Sequence, residues 1–522
     1  MFKSVLNLIP LIVLIHLVNG SNILVIFSSP SRSHNVLGIR LSEGLLKQGH
    51  HVTFVNPFPS PQMENLTSIH MESISKFFED LMLSNKELAN NGVIGNFRRM
   101  SGALTTPNEL FWQHPFVDKL IKEKPKFDLL ITLAFFNDAI LGLGQHLGVP
   151  TVVFTCIGHF TIWNNYVANP TMVYSRNPIA NAPTEYFWGR LATVAANLVM
   201  GIANDYFIAP FNQGLLDKHL PHSPTLKELQ RNVSLVLANS HYSVEPARPY
   251  VPNMIQVGGY HVQDVKPLPN DFGTFMDDAK HGAILFSLGG NIRVGMLDEE
   301  KRDAIFKVLA EISPIRVIFK SELEHKNVPK NVMVRNWVPQ ADILAHPNTK
   351  LFISHGGWGG LTESVYHGVP ILGIPFVGDQ IGNLNLAHSA GYAEVIQPGD
   401  ISEEVFRQKL KELITNPKYS QNVKSRSSLM KDQPVKPMEN VIFWIEHVIK
   451  FGSGKHLQNA GVYLTWYQLY MIDIYIFFTV VLIFLLLSIM YTIKFTMKFL
   501  TKLSGKSKVT RKSRNKSKVK KS

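Results

Sequence analysis

Twenty consecutive residues near the C-terminus, Ile474 to Ile493 ("IYIFFTVVLIFLLLSIMYTI"), carry no charge. A helix of that length, at about 1.5 Å per residue, reaches roughly 30 Å, the thickness of a bilayer core. No folded domain follows that could bury it, so residues 474–493 read as a transmembrane helix. The run divides the chain into a long body and a short tail. The tail, residues 494–522, holds twelve Lys and Arg and no acid. The excess of positive charge places it in the cytosol and the body on the other side of the membrane. The formal net charge of +13 falls to about +1 once the tail is set aside. The basicity therefore signals a juxtamembrane segment attracted to anionic lipid headgroups rather than a nucleic-acid partner. At the other end, residues 1–20 show Lys3, an apolar run to Val18 and then small residues. This is the pattern of a cleaved signal peptide. Lys518 and Lys520, fifth and third from the end, resemble a dilysine retrieval signal.

The body must fold by its core alone, because the chain has one cysteine, Cys156, and can form no internal disulfide. Asn65-Leu-Thr and Asn232-Val-Ser are candidate glycosylation sites. Residues 21–245 open with the apolar run "NILVIFSS", a helical pattern and a second apolar run "HVTFVNP". Strand, helix, strand in this order predicts a parallel sheet. "FDLLITLAF" (127–135), "PTVVFT" (150–155) and "SLVLANS" (234–240) extend it. Residues 157–215, rich in aromatics, Pro and Asn, read as long loops and short helices around an apolar cleft. A proline-punctuated stretch, 246–260, reads as a linker. A second alternation fills 261–450, and 451–473 leads to the span. The expected fold is α/β, two doubly wound domains facing a cleft.

The chemistry concentrates in the second domain. "KLFISHGGWGGLTESVYHG" predicts a strand, a glycine-rich turn and a helix stopped by Gly368. Helix N-termini present free N–H groups and a partial positive charge, and glycines allow an anion to approach. It is neither a Walker loop nor a G-x-G-x-x-G fingerprint. His355 lies at the carboxyl end of that strand, Glu363 in the helix, and Asp379-Gln380 after the next strand. Trp337 and Gln340 follow "VMVRNW", and "FSLGG" (286–290) forms another strand-to-glycine turn. Each position also admits a plain structural reading. His355 suits a loop, Glu363 a solvated helix face, Asp379 an N-cap, and Trp337 a core.

Together, Trp337-x-x-Gln340, His355-Gly-Gly-x-x-x-x-x-Glu363, Pro370, Pro375 and Asp379-Gln380 resemble the signature of the UDP-glycosyltransferases. The resemblance extends to signal, two domains, span and basic tail, as in the insect-like endoplasmic reticulum enzymes of animals. It implies a GT-B fold of two Rossmann-like domains, acceptor bound by the first and UDP-sugar by the second. It also implies donor roles. Trp337 would stack on the base, with Gln340 at base or ribose. His355 would hold phosphate, with Ser287, Gly289, Gly357, Gly359 and Gly360 beside it. Glu363 would take ribose hydroxyls, and Asp379 and Gln380 the sugar. The family usually has serine where this chain has Gly290, and often serine or asparagine at Gly359 and Gly360.

The sequence has no Asp-x-Asp and no His/Cys cluster at metal spacing. No metal or other cofactor is therefore expected. His34, after the first strand, matches the family's catalytic histidine, and a base near its ordinary pKa of about 6.5 suits neutral pH. A carboxylate should orient it. The mammalian enzymes' aspartate falls on Leu133, whereas insect-like relatives have one near Asp138, which is therefore the expected partner; Asp128, which begins its strand and should point away from the cleft, is the fallback. The reading is inverting transfer of a hexose, glucose favoured, to a hydroxyl of a small lipophilic acceptor. The alternatives are a sterol or membrane-lipid acceptor and a catalytically silent binding protein. Self-association is left open.

Overall fold

The computed structural model describes residues 20–83, 92–173, 185–290 and 292–519. The signal-like segment 1–19, part of the 157–215 region and the last lysines lie outside the described residues. The first sheet is built from β1 (Asn22–Ile26), β2 (His51–Asn56), β3 (Leu66–His70), β4 (Leu129–Ala134), β5 (Thr151–Thr155), β6 (Leu235–Ala238) and β7 (Met254–Gln256). Its order is β3-β2-β1-β4-β5-β6-β7, with every pairing parallel. The second comprises β8 (Ala283–Ser287), β9 (Arg316–Lys320), β10 (Val332–Arg335), β11 (Thr349–Ser354), β12 (Ile371–Gly373) and β13 (Ala393–Val395). It is also parallel, in the order β10-β9-β8-β11-β12-β13. Central strands such as β4, β5 and β8 are buried at every position, which is why they read as unbroken apolar runs. Alternate residues feed separate cores on the two faces. Leu24 and Ile26 enter one, Ile23, Val25 and Phe27 the other.

Six helices matter below: α1 (Arg32–Lys47), α2 (Phe187–Ala203), α3 (Trp358–His367), α4 (Gln380–Ser389), α5 (Pro437–Phe451) and α6 (Ile472–Val519). Three features differ from the sequence reading. The linker stretch contains β7, the last strand of the first sheet, and Tyr260, which is buried and donates to the Leu37 carbonyl at 2.8 Å. Helix α5, placed by sequence in the second domain, packs Val441, Ile445 and Val448 into the core between α1 and the first sheet. The 157–215 region is not irregular beyond Tyr186. It is helical from Phe187 to His219, with a π turn at Asn204–Ile208. Good helix formers (Leu, Ala, Met) dominate α2, and the flanking Pro and Asn clusters hid it. Much of its surface is apolar and bare, including Trp188, Leu198 and Val199.

Residues 463–522 form a separate unit. Its long helix α6 is exposed along its apolar length, and Ile472–Ser504 is long and apolar enough to cross a membrane. Phe187–His219 meets the same length and composition criterion.

Candidate functional site

Glycines surround His355, and the geometry shows why. Gly289 has φ +83°, and a β-carbon there would lie 2.5 Å from His355 Cε1. A β-carbon on Gly357 would lie 2.5 Å from His355 Nε2. The bare backbone after β8 and β11 thus makes room for an imidazole between two turns. Gly357 is also the N-cap residue of α3, so the ring lies against a helix N-terminus. Burial, helped by Lys320, pushes the His355 pKa down to about 4, so the ring is neutral. Its Nδ1 is buried with no hydrogen-bond partner. A neutral ring can donate one N–H to a phosphate oxygen.

Beside this turn, Gln340 Nε2 donates to Glu363 Oε2 at 2.7 Å. Burial lifts the Glu363 pKa to about 7, against the pull of the Gln340 bond and of Arg40 on α1. Gly360 lies under the Gln340 amide, 3.4 Å from where its β-carbon would be. At Gly359 the nearest atom to a β-carbon would be His261 Nε2, at 3.9 Å, so space does not exclude a side chain there. Trp337 is 65% exposed, which rules out the core reading for it. Asp379 accepts from Asn383 Nδ2 at 2.6 Å, and its charge helps raise the pKa of Cys156, at the end of β5. It therefore faces the first domain. Gln380 Oε1 accepts from the Phe376 and Val377 amides at 2.7 and 3.0 Å and so closes the loop after β12. Ser287 is fully buried, and its hydroxyl accepts from the Gly289 amide at 3.4 Å.

Across the gap, His34 lies in the first turn of α1, 6% exposed, with its ring edge-on to Phe135 at 5.1 Å. Its Nδ1 is 2.6 Å from Ser29 Oγ. Burial lowers its pKa to about 4, well below the ordinary value expected from sequence. Asp138 is not its partner here. One carboxylate oxygen accepts from the Tyr166 hydroxyl and the other from Gln230 Nε2, each at 2.6 Å. The reason is the face of the sheet. Asp138 opens a short 3-10 turn whose neighbours Ala139 and Ile140 enter the core opposite to α1. Asp128, at the start of β4, accepts from the Asn22 amide at 2.7 Å, at the other end of β1 from His34. Leu133 is buried in β4.

Sequence reasoning missed Ser29, Lys320 and Trp358. Lys320 ends β9 and donates to the Gly289 carbonyl at 2.6 Å. Trp358, the first residue of α3, is 3% exposed and crosses into the first domain. Its Nε1 donates to the Asn239 carbonyl at 2.7 Å, and its ring lies 2.7–3.0 Å from where a Gly158 β-carbon would be. A small cavity beside Ser29 is lined by Leu104, Pro107, Phe135 and Asn137. A larger depression, rimmed by Asn22, His51, Asn65 and Lys126, lies at the amino ends of the strands. That is the wrong edge for a ligand in this architecture. The sequon residues Asn65 and Asn232 are both exposed.

Five histidines, His34, His241, His261, His355 and His367, are held near a pKa of about 4, chiefly by burial. Each folded ring binds fewer protons than its unfolded counterpart near 6.5. Their contribution to stability is therefore complete above about pH 6.5 and is lost as pH falls towards about 4. Glu363 and Asp138, both raised, act with the opposite sign. With five groups against two, the melting temperature should fall steeply between about pH 6.5 and about pH 4, as read by fluorescence or calorimetry. A flat profile across that window would contradict the buried neutral rings.

The chain matches the family described as UDP-glucoronosyl and UDP-glucosyl transferase over residues 14–508. It is 31% identical over 488 residues to UDP-glucosyltransferase 2 of Dactylopius coccus, covering 88% of this chain and 90% of that one. It is 33% identical over 483 residues to UDP-glycosyltransferase UGT5 of the same insect, covering 90% of each. The mouse UDP-glucuronosyltransferase 2B17 is 36% identical over 284 residues, 53% of each chain. Among solved structures, TcCGT1 in complex with UDP superposes with a TM-score of 0.55 at 16% identity, covering 83% of this chain and all of that one. That likeness supports the GT-B architecture. These matches make the chain a member of the UDP-glucuronosyl and UDP-glucosyl transferase family, an enzyme that transfers sugar from a UDP-sugar.

Proposed function

We propose that this enzyme transfers a hexose, glucose in preference to glucuronic acid, to a hydroxyl of a small lipophilic acceptor, with inversion and without a metal ion. The observation that carries the donor side is the exposed indole of Trp337 near the half-buried Gln340–Glu363 pair. Folding alone gives no reason to leave a tryptophan face bare there. A base stacked on it would put a ribose at Glu363 and the diphosphate at His355 and the start of α3. Glucose is favoured because a relative matched over most of its length is named a glucosyltransferase.

In the acceptor step, His34 donates Nδ1–H to Ser29 Oγ, leaving Nε2 with the lone pair. Nε2 takes the acceptor's hydroxyl proton as the oxygen forms its bond to the anomeric carbon. The bond from that carbon to the β-phosphate oxygen breaks on the opposite face, and UDP leaves with the electron pair. A ring held near pKa 4 is a weak base in the empty site. The bound diphosphate brings negative charge to the facing wall, which favours the imidazolium and strengthens the base when the donor is in place. The helix N-terminus stabilises the departing phosphate. The body is proposed to lie in the lumen of the endoplasmic reticulum, with the basic tail in the cytosol.

The test is to incubate membranes carrying the protein with labelled UDP-glucose, UDP-glucuronate and other UDP-sugars, with a panel of phenols and alcohols. UDP-glucose should give the most product. Trp337→Ala should raise KM for the donor by about tenfold or more, as loss of a base-stacking face does. No transfer from any UDP-sugar, or a donor KM indifferent to Trp337, would overturn the reading.

A further inference from the structure

Helix α2 is amphipathic in the reverse sense. The side it turns to the body carries Gly189, Thr193, Asn197 and Met200, about one turn apart. Thr193 Oγ1 donates to the Gly189 carbonyl at 3.0 Å, Asn197 Oδ1 accepts from Thr161 at 3.0 Å, and Met200 packs against the core. The other side carries Phe187, Trp188, Leu191, Leu198, Val199 and Ile202, which are between 46% and 75% exposed. A helix on a protein surface in water does the opposite, with its apolar stripe against the core. Single bare apolar side chains are ordinary, but a continuous face of them marks a contact.

Composition and tethering identify the contact. From Tyr186 to Phe207 the charged residues are Arg190 and Asp205. Such a face lacks the polar rim of a protein–protein interface. Its aromatics stand at the two ends. Phe187 and Trp188 meet edge-to-face at 5.2 Å at one end, and Tyr206, 74% exposed, is at the other. Leu, Val and Ile fill the space between, as in segments that lie at a bilayer surface. A bilayer is also within reach. The body closes at Val462, and the helix long and apolar enough to cross a membrane begins at Ile472. Residues 463–471, at no more than about 3.5 Å each, keep the end of the body within roughly 30 Å of lipid. So short a tether populates even a weak surface contact. The segment itself does not cross. Beyond the π turn, Ala209–His219 buries Asn212, Leu215 and Leu216, and Asn212 donates to the Phe136 carbonyl at 3.1 Å. A crossing would strip these contacts away.

We propose that the bare face of α2 lies in the lipid–water interface of the bilayer to which α6 fastens the chain, as a second and monotopic attachment. The inverted pattern then has a reason. The polar side of the helix is satisfied by the body, and the apolar side exchanges water for acyl chains. With almost no charge on it, the face inserts by apolar burial and needs no anionic headgroups, unlike the basic tail. The proposal goes beyond the donor and acceptor assignments and does not rest on them. A body held at two points keeps one side towards the membrane, whereas a body on the span alone would turn freely.

The experiment places the full chain in phosphatidylcholine vesicles at low protein density. Trp188→Cys, Leu198→Cys and Lys126→Cys are made singly and labelled with an environment-sensitive fluorophore. The native Cys156 is buried and stays unlabelled. Lys126, exposed at the amino ends of the first sheet's strands, is the reference. Emission at 188 and 198 should shift to the blue and be lost to lipids spin-labelled near the headgroup, while emission at 126 does neither. Adding Val199→Asp and Ile202→Asp to Leu198→Cys should abolish both signals, because carboxylates resist entry into lipid. Both positions are exposed, so the thermal melt should stay that of Leu198→Cys. Lipid quenching at 198 no greater than at 126 would overturn the proposal. A blue shift that appears only as protein density rises, without lipid quenching, would assign the face to a second copy and overturn it equally.

Discussion

Alanine at position 34 should lower kcat by about 10²- to 10⁴-fold, the range expected for removing a positioned general base. UDP affinity should stay within about twofold, because the partners described for His34, Ser29 and Phe135, belong to the first domain. Single-turnover assays with saturating donor, paired with UDP binding, separate the two effects. The same assays on Asp138→Asn distinguish the arrangement seen here from a histidine–aspartate pair. With the carboxylate held by Tyr166 and Gln230, that variant should lose stability while the chemical step persists. A loss of kcat in Asp138→Asn matching that of His34→Ala would show that the two residues act together after all. A His34→Ala enzyme with unchanged turnover would instead remove the base from the mechanism entirely.

The second large effect concerns Trp358. Its replacement by alanine empties a buried site and breaks the bond to the Asn239 carbonyl. Large aromatic truncations in cores cost about 3–5 kcal/mol. For a body of this size that corresponds to a fall in Tm of about 3–5 °C. The variant should also bind UDP more weakly, since Trp358 opens the helix whose N-terminus is proposed to receive the phosphates. Thermal melts in the presence and absence of UDP check both. An unchanged Tm would mean that the indole is not the contact that seats one domain on the other.

The two sheets were legible because their strands are buried on both faces, and such strands cannot be mistaken for alternating ones. The elements that escaped lie where that signal fails. Strand β7 has three residues and follows a proline cluster, so it reads as connection. Helix α5 is an ordinary amphipathic helix, and nothing in its sequence says which sheet it covers. In the site, strand ends of one parallel sheet share an edge, which made Trp337, Gln340 and His355 candidates, but it was the family resemblance that singled them out together with Glu363. The pairing of Asp138 was not legible. A residue one position along a turn can face either side of the sheet, and only the packing of Tyr166 decides it. Nor could the sequence show that His34 is dry, because its pKa depends on Phe135 and other groups distant in the chain. Trp358 hid for a different reason. It stands inside the glycine-rich turn, where every neighbour pointed to phosphate, while its partners at Gly158 and Asn239 lie far away in the sequence.

The return of α5 to the first sheet has a mechanical consequence. The chain passes from one lobe to the other after Tyr260 and comes back before Pro437, so two covalent straps join the lobes. Two attachment points define a line, and bodies fastened along a line can swing about it but cannot slide apart. Admission of substrate and escape of product must then proceed by rotation about that line, which keeps the rim nearest the straps almost still and gives the far rim the longest travel.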